Sequence, residues 1–285
     1  MNILWVYAHP DARSLNGSLR DAALEQLRAD GHTVEQSDLY AMQWNPVVQP
    51  ADYDHDPTER FKVATASSSA LTAGTQTPEI VAEQQKLLRA DAVVLQFPLW
   101  WFSMPAIMKG WVDRVFVEGF GYGIRRADGR SRRYGDGMLA GKRAMVVVSM
   151  GGSEHTVSPR GINGDLDEML YPIQHGILFY TGMSVLPPVL VASADRMTEI
   201  DYAAAESELL QRVKGLPTDR TIPYRTQNGG DYDRRFVLRS TIDPEDIGIA
   251  STHRTVDQSR TRARNAAMLS STAAVRVSTS KSSLN

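Results

Sequence analysis

Cysteine is missing from all 285 residues, which excludes disulfides, thiolate nucleophiles and cysteine-ligated metal. The absence fits a reducing compartment, and a cytoplasmic location is expected. A surplus of one charge is missing too, since 31 lysines and arginines face 33 acidic residues, for a net charge of −2. Nucleic-acid binders usually carry a basic excess, so no such partner is expected. No apolar run approaches the ~20 residues that a transmembrane helix needs. Residues Met1 to Ala8 lack the basic region of a signal peptide, and membrane insertion is not expected. The Rossmann and Walker A glycine loops are absent, as is the G-x-S-x-G elbow of serine hydrolases. The six histidines show no metal-ligand spacing, so no metal is expected.

What is present is 42% hydrophobic sequence, enough for a sizeable core. Ile3 to Ala8 is apolar without alternation, which is how a strand buried on both faces reads. Ala92 to Gln96, Arg143 to Ser149 and Val185 to Val191 read similarly, and Thr33 begins a further strand. Helical spacing marks Leu15 to Leu27, Pro78 to Ala90, Ile107 to Phe116, Leu166 to Ile177 (kinked at Pro172) and Ala203 to Val213. A short helix over Glu59 to Ala66 is also expected. Five strands alternating with five helices predict an α/β fold with a doubly wound, five-stranded parallel sheet. That domain is expected to span 1–215. A C-terminal segment, 216–240, should pack near the site, and 241–285 should form a low-complexity tail, partly disordered. Removing the chain after Ser240 should then leave activity largely intact. A helix near Arg260 to Leu269 is an option, with disorder from about Ser270.

Ligands of open parallel sheets sit at the carboxyl ends of strands, and three loops there carry informative residues. The first, His9 to Asn16, opens a helix, and helix amino termini attract anions. Ser14, Asn16 and Ser18 add short donors, and either Ser14 or Asn16 is a suitable N-cap. The second, Leu95 to Pro105, presents Trp100, Trp101 and Phe102 on a strand-to-helix turn, a shelf suited to a planar ring system. The third, Ser149 to Ser153, has two adjacent glycines whose N–H groups a ligand can approach closely. A capped helix, core aromatics and an ordinary turn would account for each loop alone. Their conjunction on three strand ends points to a flavin.

These residues resemble the NAD(P)H:quinone oxidoreductase family, flavodoxin-like proteins that hold FAD at a dimer interface. The likeness rests on AHPDARSLN (Ala8 to Asn16), SDLYAM (Ser37 to Met42), FPLWWFSMPAIMKGWVDRVF (Phe97 to Phe116), GFGYG (Gly119 to Gly123), MGGS (Met150 to Ser153), and GINGD with YPIQHGIL (Gly161 to Leu178). It implies FAD phosphate contacts at His9, Ser14, Leu15, Asn16 and Ser18. Ring and ribityl contacts fall on Pro98, Leu99, Trp100, Trp101 and Phe102, and ring-edge contacts on Ser149, Met150, Gly151 and Gly152. Trp101, Phe102 and Gly152 would wall the substrate pocket, with Tyr122, Tyr180 and Phe236 closing it from a second subunit of a homodimer. The tyrosine and histidine credited with a charge relay correspond here to Val157 and Asn163. Valine cannot donate a proton and asparagine cannot titrate. Gly152 and Asn163 are thus the residues expected nearest the chemistry, with His155 as a stand-in for the relay. A second pocket tyrosine is replaced by Ile124. No match is found for the clamp on the adenine end, which leaves FMN open beside FAD.

The activity implied is a ping-pong transfer of hydride from NAD(P)H through the flavin to a quinone. Azo- or nitro-group reduction on the same flavin is one alternative. A flavin-bearing regulatory subunit of an ion-efflux system is another, with the arginines between Gly119 and Gly137 as its docking surface.

Overall fold

The computed structural model describes residues 1–254. Its central sheet starts with β1 (Asn2–Tyr7), which leads through a polar loop into α1 (Leu15–Ala29), and β2 follows at Thr33–Asp38. Next come α2 (Val63–Ala73), α3 (Pro78–Arg89), β3 (Ala92–Pro98) and α4 (Ala106–Val115). The chain continues with β4 (Arg143–Ser149), α5 (Leu166–Ile173), β5 (Ser184–Val185), β6 (Val189–Val191) and α6 (Glu199–Lys214). All strand pairs are parallel, in the order β2-β1-β3-β4-β5, with β6 also paired to β4. This is the flavodoxin-like strand order, whose direction reverses between β1 and β3.

Alternation along the buried strands feeds two cores. Leu4, Val6, Val93, Leu95, Phe97, Val146 and Val148 face α3, α4 and α5, meeting Ile80, Leu87, Trp111, Val115 and Leu170. Ile3, Trp5, Val94, Met145 and Val147 face α1 and α6, meeting Leu19, Leu27, Leu209 and Val213. Strand residues that alternate in this way need helices on both faces, which is why the runs read as continuously apolar.

Four expectations require correction. The fifth strand is not continuous, because Pro187 and Pro188 lack the N–H groups a ladder needs. It divides into β5, beside Arg143 and Ala144, and β6, beside Val147 to Ser149. The helix expected over Glu59 to Ala66 lies instead at Val63–Ala73, ending on Gly74 in the left-handed region. Pro172 does not simply kink its helix, since α5 runs on as a π-helical turn over Gln174–Phe179. The stretch expected to begin a tail at 241 stays in contact as far as Arg254. Buried Arg225 pairs with Asp231 and Asp243, and the His253 ring lies 4.8 Å from that of Tyr224. The helix and disorder expected beyond Arg260 lie outside the described residues.

Candidate functional site

Three loops meet at the carboxyl edge of the sheet, where Tyr7 stands beside Gln96, Pro98 beside Ser149, and Ser149 beside Val191. A buried relay of side chains ties them together. Trp5 Nε1 donates to Gln96 Oε1 at 2.9 Å, and Gln96 Nε2 donates to the Asn16 carbonyl at 2.8 Å. Asn16 Nδ2 then reaches Ser149 Oγ at 2.7 Å. Asn16 and Ser149 are both buried, so these side chains fix the loops rather than face a ligand. What Asn16 offers outward is its backbone N–H.

The first loop closes on α1. Ser14 is the N-cap, its Oγ accepting from Gly17 N at 3.1 Å and lying 3.3 Å from the Tyr7 hydroxyl. Burial pushes the Tyr7 pKa up, with the Arg20 guanidinium 4.4 Å over its ring. A Cβ at Gly17 would stand 2.1 Å from the Ala12 carbonyl oxygen, so only glycine lets the loop fold over the helix start. Sequence reasoning missed this residue; a glycine in the first turn of a helix was the available signal. His9 Nδ1 lies 3.1 Å from Asp11 N, and in the tautomer that accepts from this N–H the proton sits on Nε2. Leu15 and Asn16, in the first turn of α1, have N–H groups with no intrahelical acceptor. Ser18 is exposed one residue beyond Gly17.

The second loop is a tight turn in which Trp100 and Ser103 exchange backbone bonds of 3.0 and 3.1 Å. Its two central residues, Trp101 and Phe102, have φ of +49° and +61°. Asn-Gly is the usual occupant of such a turn. Bulky aromatics there store strain of about 1–3 kcal/mol each. Trp101 is 95% exposed, so core packing does not explain it. Leu99 N donates to the Ser149 carbonyl at 2.7 Å, fastening this loop to the third.

The third loop is held from below. Met150 N bonds the Val191 carbonyl, and Ser193 N bonds that of Gly152 at 2.7 Å. Among the described residues, the N–H groups of Gly151 and Gly152 find no acceptor. A Cβ at Gly151 would stand 2.1 Å from Asp195 Oδ2. At Gly152 it would meet only the mobile Met150 Cε, at 2.7 Å, and Thr156 Oγ1, at 3.4 Å. Val157 is buried, and Asn163 is half-buried, its N–H on the Thr156 carbonyl at 2.9 Å. His155 is exposed.

Of the remaining candidates, Tyr180 and Phe236 lie in a separate group around Tyr134 and Arg133. Tyr180 packs edge-on against Tyr134 at 5.0 Å, and the Arg133 guanidinium lies over both Tyr134 and Phe236. Burial raises the pKa of Tyr122 and of Tyr134. Among the described residues, no ring contact joins Tyr122, Tyr180 or Phe236 to Trp101. Tyr134 was missed by the sequence reading; its place beside the loop arginines was the only hint. Cavities of about 190 Å³ between β1, β2 and α3, and about 660 Å³ beside α2, lie away from the three loops. Among the described residues no cluster of metal-ligating side chains occurs, and no helix is long and apolar enough to cross a membrane.

An exposed aromatic turn, two unpaired glycine N–H groups and a helix amino terminus together fit a planar ring with an electron-rich edge and a phosphate tail. That arrangement, on this strand order, defines a flavodoxin-like α/β protein. The flavodoxin-like fold family matches residues 1–213. A ribosyldihydronicotinamide dehydrogenase-like protein of Penicillium crustosum is 45% identical over 235 residues, covering 81% of this chain and 87% of its own. NAD(P)H dehydrogenase [quinone] 1 of Rattus norvegicus is 42% identical over 192 residues, 67% of this chain and 68% of its own. A solved structure from Klebsiella pneumoniae, described as a candidate quinone reductase, is 46% identical. It covers 89% of this chain and 99% of its own, with a TM-score of 0.86. The chain belongs to the flavodoxin-like family of NAD(P)H and ribosyldihydronicotinamide quinone dehydrogenases.

Proposed function

We propose that the chain is an NAD(P)H dehydrogenase that reduces quinones on bound FAD, with the cofactor held between two copies of the chain in the cytoplasm. One observation carries the reading. Among the described residues, eight non-glycine residues have positive φ, and three of them lie in the loops of the site: Trp101, Phe102 and Ser193, whose N–H bonds the Gly152 carbonyl. Strain of this kind persists only where the surroundings impose it, and it clusters at functional sites.

A bound flavin would supply the two-electron redox chemistry by which NAD(P)H, a quinone and one proton give NAD(P)⁺ and a hydroquinone. The chain contributes position and electrostatics. The N–H groups opening α1 bind the phosphates, and the Trp100 to Phe102 turn offers a stacking face. The N–H groups of Gly151 and Gly152 bond the ring edge. The Asn16, Gln96 and Ser149 relay holds the three loops in register. Tyr122, Tyr180 and Phe236 have no ring contact with Trp101 in one copy, which suits their closing the pocket of the other. Asn163 can offer an amide hydrogen bond but cannot move a proton, and Val157 is buried and apolar, so neither supplies the acceptor's proton. Relatives at 42% to 46% identity that carry quinone-linked names favour this over azo- or nitro-reduction and over a regulatory subunit.

Purified protein should be yellow, bleach with NAD(P)H and regain colour with menadione. Mass spectrometry of the released chromophore separates FAD from FMN, and sedimentation gives the subunit count. Material that stays colourless after incubation with both nucleotides refutes the reading.

A further inference from the structure

The loop after α4 carries five arginines, and four of them are satisfied locally. Arg126 and Arg132 pair with Asp136, Arg130 with Asp128, and Arg125 bonds the Gly129 carbonyl. Arg133 is different. Among the described residues no carboxylate pairs with it. Its Nε donates to Gln227 Oε1, and its Cζ lies 5.8 Å from the Tyr134 ring centroid and 5.2 Å from that of Phe236. Gln227 is 8% exposed, and its Nε2 is anchored to the Ser131 carbonyl at 3.0 Å. Both aromatic partners are held at positive φ, +49° at Tyr134 and +62° at Phe236. Phe236 sits on a turn that Asp233 clamps through the N–H groups of Arg235 and Val237.

The guanidinium is thus held at Nε by Gln227 and lies near two aromatic rings, and among the described residues its Nη donors have no hydrogen-bond partner. Its forked donors match a phosphate, carboxylate or sulfonate in two parallel bonds. Tyr134 also touches Tyr180, a wall of the substrate pocket in the proposed function, on which this inference rests. We propose that Arg133 is a specificity-determining residue that pairs with an anionic group of the substrate. That group is a phosphate of the dinucleotide donor or an acid substituent of the acceptor. An uncharged dihydronicotinamide riboside offers it nothing.

The test compares the flavin-loaded protein with Arg133→Gln, Arg133→Lys and Arg130→Gln, the last removing equal charge from the same loop. Donors are NADPH, NADH and dihydronicotinamide riboside; acceptors are menadione and naphthoquinone sulfonate. Arg133→Gln is expected to raise KM for NADPH or for the sulfonate about tenfold more than for the uncharged counterpart, ~1.4 kcal/mol. Arg133→Lys should recover part of that ratio, and Arg130→Gln should not change it. A shift on the donor side assigns the phosphate, and one on the acceptor side assigns the acid group. Equal shifts for charged and uncharged substrates overturn the proposal. Equilibrium titration with NADP⁺, the sulfonate and uncharged menadione, read by tryptophan quenching, applies the same ratio test without turnover. A missing turnover therefore counts against the proposed function alone.

Discussion

Replacing Gly152 with valine separates the cofactor site from the fold. The Gly152 φ lies outside the left-handed region, so a side chain meets no backbone penalty there. A new Cβ encounters Met150 Cε at 2.7 Å, the far end of a flexible side chain, and Thr156 Oγ1 at an ordinary 3.4 Å. Moving Met150 off its rotamer costs about 0.5–1.5 kcal/mol. That is a fall in Tm of a few degrees for a domain of this size. The cost to the cofactor is larger. Valine branches stand over the turn and hold the ring away from the N–H groups of Gly151 and Gly152. Two bonds lost at about 1 kcal/mol each weaken flavin binding roughly 30-fold. Absorbance at 450 nm against 280 nm gives occupancy, a flavin titration gives Kd, and Gly152→Ala should fall between valine and the parent. Full occupancy with parental affinity in Gly152→Val would show that the ring does not lie against this turn.

Trp101→Gly and Phe102→Gly relieve positive φ, so stability should hold or rise by up to about 1 kcal/mol while flavin retention falls; melting curves and occupancy on the same samples check both halves. Asp52→Asn should cost ~3 kcal/mol in urea unfolding, because Asp52 and Arg114 are buried and joined by bonds of 3.0 and 2.6 Å; a loss under 1 kcal/mol would contradict it. His175 is stacked between Tyr134 and Tyr171 at 4.8 and 4.6 Å, and desolvation pushes its pKa down to about 4. The unfolded chain binds this proton below about pH 6.5 and the folded chain does not, so stability is full above pH 6.5. It should fall by up to ~3 kcal/mol as pH drops toward 4. Urea unfolding across that window should show a slope that His175→Phe removes, and equal slopes would refute the assignment.

Strands β1, β3 and β4 were legible because unbroken apolar runs have few other uses in a chain of this composition. The fifth strand was legible in place but not in continuity, since Val185 to Val191 is apolar enough to hide what Pro187 and Pro188 do to a ladder. Helix α2 was misplaced because its run of alanine and serine gives little periodicity. All three loops of the site were readable, each from its own residues. The bond from Asn16 to Ser149 was not, as it joins positions 133 residues apart. Nor were the left-handed aromatics, because sequence rules assign such positions to glycine and asparagine. Only the folded loop reveals that Trp101, Phe102, Tyr134 and Phe236 defy them.

The interrupted outer strand has a bearing on how copies of the chain associate. Pro187 and Pro188 strip two donors from that margin, Ile222 N caps the Val185 carbonyl at 2.7 Å, and the Arg212 guanidinium covers the carbonyl of Pro187. A rail blocked in this manner cannot recruit another strand. Sheet extension between molecules, the common route from a parallel array to aggregation, is closed on this side.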